Sequence, residues 1–242
     1  MEEKPKIVIT RARRPEPATR NFAFTSAMVP ANDALKDYRL HAWETYTRLS
    51  MPSITEEAWR RTDLHLLPAD TFHLPESGAF NQLTPVPEDL LRPLTAERHG
   101  GQVILLPGGS RTSLDPELVR KNVLFTDLRT ALVENPDLVA SMAGELVRPE
   151  EGKFAALAGA LSQNGVVLYI PKGVTIEQPL NSLLWGPGGG LAHVSHILIW
   201  VDDGASVTYV HEAASPDESE ASMHAGIVEI KVGDGATLKF VE

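Results

Sequence analysis

The sequence predicts an α+β protein: a mainly helical N-terminal region, then a parallel β-helix (a β-solenoid) cut off at the C-terminus. Two observations carry this. The hydrophobic period changes from helical to two after Gly165. Beyond that point, three segments repeat at a fixed step. "VVLYIPKGVTIEQP", "ILIWVDDGASVTYV" and "IVEIKVGDGATLKFV" align on Gly173, Gly204 and Gly235, each 31 residues after the one before. Val166, Ile197 and Val228 correspond, as do Leu168, Ile199 and Ile230, and Ile170, Val201 and Val232. Past the turn, Ile176, Val207 and Leu238 correspond. Alternate apolar positions give a strand one inward face. A unit that cannot bury that face alone must stack on its neighbours. Each strand should therefore lie parallel to its equivalent in the next coil. The alternative is an antiparallel sandwich with chance similarity, and two identical steps weigh against it.

The elements follow in order. Residues 1–30, rich in Pro and Arg, read as a flexible tail. Residues 31–165 read as the helical region. "NDALKDYRLHAWETYTRLSMP" places Leu35, Tyr38, Ala42, Tyr46 and Leu49 on one helical face, with Asn32 as N-cap and Pro52 past the end. Trp43 and Trp59 sit on or beside apolar faces and should be partly buried. Ser53 and Glu56 have capping-box spacing, which predicts a short helix. The proline-rich 68–100 stretch reads as a long surface connection. "QVILLPGG" reads as a strand and turn. "VLFTDLRTALVENPDLVASMAGEL" reads as two short helices split at Pro136, and a further helix starts near Glu150 and stops at Asn164-Gly165. Residues 166–242 form the first coils of the β-helix core. The final strand, "TLKFVE", has no following neighbour, so the chain reads as a truncated form with an open, aggregation-prone edge.

Composition excludes several function classes. The formal net charge is −10, against the clustered cations that nucleic-acid binding needs. The one basic cluster, Arg11, Arg13, Arg14 and Arg20, is broken by prolines and reads as solvated. With no cysteine, the chain has no thiolate for zinc or an iron–sulfur cluster. "MEEKPKIVIT" has no apolar signal core, and the longest apolar runs, "VVLYI" and "ILIWV", fall far short of the ~20 residues of a membrane helix. These features predict a cytoplasmic protein that meets neither membrane nor nucleic acid.

Candidate chemistry is sparse. His193 and His224 also differ by the repeat step, so their imidazoles should stack about 4.8 Å apart. His196 should point to the opposite face from His193. Lacking a third convergent ligand, the pair reads as structural, with a metal site as the less favoured alternative and no stoichiometric transition metal expected. "PGGS" (107–110) and "GPGGG" (186–190) lack the G-K-[ST] ending of a phosphate loop and read as turns. No G-x-S-x-G nucleophile elbow occurs. Asp203 and Asp234 are in register before turn glycines. They are candidate carboxylates for a β-helix carbohydrate-active enzyme, although acids before glycine are also what turns favour.

The stretches "NVLFTDLRTALVENPDLV", "KFAALAGALSQNGVVLYIPKGVTIEQPL", "WVDDGASVTYVHEAASP" and "MHAGIVEIKVGDGATLKFVE" resemble the SufB/SufD family over about residues 122–242. "AWETYTRLSMPSITEEAWRRTDL" is similar to that family's helical start. The resemblance implies a helical region, a parallel β-helix core and a C-terminal helical region. It implies a non-catalytic scaffold subunit of the SufBCD iron–sulfur cluster assembly complex, working through protein–protein interaction. Its partners would be a SufB-like subunit, met through the β-helix, and a SufC-like ABC ATPase, met through a C-terminal region absent here. SufB-like chains carry a cysteine in a G-C-T-A-P-like stretch. Here it reads "HEAASP" (211–216), with Ala213 and Ala214 and no thiol, which resembles SufD. No cofactor is then expected on this chain alone; cluster and ATP belong to the assembled complex.

Overall fold

The structure is a computed structural model that describes residues 21–92, 99–216 and 220–242. Where the period becomes two, the chain lays down strands that alternate between two sheets. β4 (Val166–Ile170), β6 (Ala192–Val201) and β8 (Met223–Val232) belong to one. β5 (Leu180–Trp185), β7 (Ser206–Ala214) and β9 (Thr237–Val241) belong to the other. Within each trio the pairing is parallel and keeps the 31-residue register. Leu168 faces Ile199, Ile199 faces Ile230, and Val207 faces Leu238. The turns stack as well: Gly173 N–H donates to the Asp203 carbonyl, and Gly204 N–H donates to that of Asp234.

Earlier strands extend both sheets. β1 (Gly101–Leu106) pairs parallel with β5 and antiparallel with β2 (Gly109–Leu114), through a turn at Pro107–Gly108. β3 (Leu124–Asp127) pairs antiparallel with β4. The protein is thus mixed helix and sheet, with two mostly parallel sheets. Their facing residues, among them Val103, Leu168, Ile199, Leu180, Val207 and Tyr209, share one buried cluster.

The 31–165 region differs from the mainly helical expectation. It contributes β1, β2 and β3 to the sheets, and the described residues 49–92 and 99–100 carry short 3-10 turns and an isolated bridge at His73. β2, "GSRTSL", is polar and exposed, so it carries no apolar alternation to read. The expected helix after Ser53 shrinks to a 3-10 turn at Glu57–Trp59, although Ser53 N–H does reach the Glu56 carboxylate at 3.0 Å. α1 spans Lys36–Arg48 and buries Ala42 and Tyr46, with Leu35 buried at its N-cap. Asn32 does not cap it; Asp33 accepts from the Leu35 N–H instead, at 3.0 Å. α2 (Pro116–Arg120) precedes β3. α3 (Leu128–Glu134) and α4 (Pro136–Met142) are separated at Asn135, and Pro136 opens the second, where its missing N–H costs nothing.

α5 (Lys153–Leu161) starts later than Glu150 because Pro149–Glu151 makes a 3-10 turn. It packs on α1 at Gly159, where an added Cβ would lie 2.8 Å from the Tyr38 hydroxyl. The buried Lys153 ammonium caps the end of α1, donating to the Tyr46 and Leu49 carbonyls at 2.7 and 2.8 Å. The Trp59 and Trp43 rings are half-buried, against Phe154 and Tyr46 respectively.

The tail expected at 1–30 also changes. Its first twenty residues lie outside the described residues, while Phe22, Phe24 and Val29 are buried against α5 and the start of β6. Apolar area, which composition averaged away, anchors them. Among the described residues, no helix is long and apolar enough to cross a membrane.

The inter-sheet cluster sets a stability expectation. Ile199 is fully buried and Val133 is 81% exposed. Ile199→Ala should cost about 2–5 kcal/mol, and Val133→Ala no more than about 0.5 kcal/mol. Urea denaturation of both variants checks this; equal midpoints would mean that Ile199 lies outside the cooperative core.

Candidate functional site

The strand period that makes one end of the inter-sheet space apolar makes the other end polar. Ile197, Ile199 and Val201 face inward, so His193 and Ser195 share their face. The same parity places Ser182 on β5, Tyr209 and His211 on β7, and His224 on β8 in that space. Ser182, Ser195 and His211 are buried. Ser182 Oγ meets Tyr209 Oη at 2.5 Å and His211 Nδ1 at 2.7 Å. Ser195 Oγ meets His224 Nε2 at 2.8 Å.

His193 and His224 are direct register partners, as the repeat step requires. They line a pocket of about 270 Å³ with Gly186, Ala213, Ala214 and Ser222. His193 is 8% exposed, and its Nε2 has no partner. Burial, and then neighbouring His224, push His193 down to about 4 against an opposing hydrogen bond to the Pro187 backbone. Burial and His224 likewise push His211 down to about 4. Both rings are therefore neutral at pH 7. Among the described residues, no group of three or more His, Cys, Asp or Glu side chains converges for a metal ion.

His196 points the other way, as expected. It is fully buried with Nε2 2.7 Å from Glu229 Oε1, and Glu229 is 1% exposed. The same carboxylate accepts the N–H groups of Gly144, Leu146 and Val147 at 2.7, 2.8 and 3.1 Å. Burial raises the Glu229 pKa, but these bonds together outweigh it and hold the group below the ordinary carboxylate range. Sequence reasoning missed this clamp. Its one local signal is an acid inside the otherwise apolar "GIVEI" alternation.

The candidate carboxylates do not form a catalytic pair. Asp203 and Asp234 sit in exposed stacked turns. Asp203 Oδ1 accepts the Asp234 N–H at 3.0 Å, and Oδ2 meets Lys172 Nζ at 3.2 Å. The Asp203 carboxylate is thus occupied in joining turns. "PGGS" forms the β1–β2 turn, and "GPGGG" links β5 to β6.

The Glu229 clamp predicts a pH dependence. A carboxylate with a depressed folded-state pKa contributes stability that is complete above its unfolded value of about 4.3 and is lost as pH falls through the folded value. Glu229→Ala should cost about 3–5 kcal/mol at neutral pH and flatten the acid limb of the stability profile. Denaturation midpoints from pH 7 downward check this; an unchanged acid limb would assign acid loss to other groups.

Comparison with known proteins adds to this geometry. Residues 101–181 match the SufBD protein N-terminal region, and residues 185–242 match the SufBD core domain of the SUF system for FeS cluster assembly. An iron–sulfur cluster assembly SufBD family protein of Staphylococcus epidermidis is 33% identical over 128 residues. The iron–sulfur cluster assembly protein SufB of Bacillus subtilis is 32% identical over 128 residues. Each alignment covers 53% of this chain and 28% of the relative, so only a minor part of those proteins is matched. The two matched regions abut across β5 and span both sheets, and on that ground the chain belongs to the SufB/SufD family.

Proposed function

We propose that this chain is part of a SufD-like, non-catalytic subunit of a cytoplasmic iron–sulfur cluster assembly complex, supporting a SufB-like scaffold. The observation that carries the SufD reading is the stretch 211–216, where Ala213 and Ala214 stand in place of a thiol in a chain without cysteine. The family match and the names of the relatives support the assembly role. The two sheets are read as coils of a β-helix, with residues 166–242 as its first coils. The alternation of strands between sheets and the 31-residue register support that reading. A chain without thiolates holds no cluster by itself, so cluster and ATP are handled by the assembled complex. Contact with a SufC-like ATPase is assigned to a region outside these 242 residues. The exposed, turn-bound Asp203 gives no support to carbohydrate chemistry.

The test is co-expression of the tagged chain with SufB-like and SufC-like subunits from one source. The SufB-like subunit should be retained through washing, and the ATPase alone should not. A SufB-like subunit found wholly in the flow-through would count against this assignment.

A further inference from the structure

The pocket between His193 and His224 is not used by the proposed scaffold role, and His193 Nε2 is a buried polar atom without a partner that borders this pocket. The His193 ring nitrogen left without a partner is Nε2, so the bond to the Pro187 backbone falls to Nδ1. Proline has no N–H, so the Pro187 carbonyl must be the acceptor and the Nε2 lone pair is left free. Gly186 keeps space in front of it: an added Cβ would sit 3.5 Å from Nε2. His224, the register partner, engages Ser195 Oγ through Nε2, which leaves Nδ1 as its second nitrogen.

One nitrogen anchored on a carbonyl or hydroxyl and the other left for a cation is the arrangement in which histidine ligates metals. Neutral imidazole suits borderline transition cations rather than calcium or magnesium, which need oxygen donors. We propose that His193 and His224 form a two-imidazole site for a borderline divalent cation of the zinc class, with its remaining positions filled by water. Sequence spacing counted two ligands and favoured no metal. The structure adds what spacing could not carry, the direction of a free lone pair and an open pocket in front of it.

The proposal is independent of the SufD reading, and its failure leaves the pull-down outcome untouched. The test is calorimetric titration of the chain with Zn²⁺ alone at neutral pH, with metal-free circular dichroism as a folding control. Saturable binding is expected. It should weaken at least about tenfold in His193→Ala and in His224→Ala. Gly186→Val removes no ligand but fills the space before Nε2, and it should weaken binding similarly. It keeps the test open if a histidine variant fails to fold. His65→Ala, at the surface His65–Asp63 pair, should leave this binding unchanged. No saturable binding below about 1 mM, or equal binding by the native chain, Gly186→Val and the folded histidine variants, overturns the site.

Discussion

The in-register parallel pairing of strands 31 residues apart is the constraint on which the rest depends. β6 and β8 pair over ten positions, from Ala192 with Met223 to Val201 with Val232. Because the side-chain period is two, a slip of one residue would exchange every inward and outward group. Such a slip would turn Ile197, Ile199 and Val201 outward and bring His196, Leu198 and Trp200 in. The turn glycines help to hold the register. Gly173, Gly204 and Gly235 have φ of +72°, +65° and +65°, a left-handed conformation that suits glycine, and the N–H groups of Gly173 and Gly204 bond to the following turn.

The same register explains what could be read from sequence. It brought Ile170 onto Val201 and Val201 onto Val232, and His193 onto His224, because those relations are periodic. What stayed hidden is aperiodic. Arg39 is 1% exposed and donates to the Ser162 carbonyl at 2.6 Å, 123 residues away. Lys153 reaches back to Tyr46, and Glu229 reaches Gly144. In a linear reading Lys153 and Glu229 are charged residues on mainly apolar elements with nothing nearby to name their partners, and Arg39, on a polar helix, shows only its local partner Asp33. Phe22 and Phe24 were hidden for a related reason: they stack on each other, but Phe22 is held by Phe72 and Phe154 from remote parts of the fold.

Those remote polar contacts fix how the N-terminal helices sit on the sheets. A buried charge contributes little net stability against an apolar replacement, but loss of its partner is costly. Arg39, Lys153 and Glu229 therefore act by excluding other dockings. Shifting α1 along α5 would strand the Lys153 ammonium, and lifting the 144–147 segment would strand the Glu229 carboxylate. Near Gly159, α5 meets Ala42 and the Tyr38 ring of α1.

The two faces of β6 and β8 thus do different work. On the helix-covered face, His196 and Glu229 are sealed from solvent and held by each other and by three backbone N–H groups. A group in that position shapes the fold and cannot meet a ligand. On the inner face, the polar residues continue the inward rows that Ile197 and Val207 begin, past the point where β4 stops pairing with β6. An apolar row there would have closed the space between the sheets. A serine–histidine row keeps it polar, and Gly186 and Ala213 keep it open at its mouth. Burial alone does not separate these sites, since His193 and His196 are both buried. Access does: His193 Nε2 borders a pocket beside a second imidazole, whereas the equally unpartnered His196 Nδ1 is sealed from solvent.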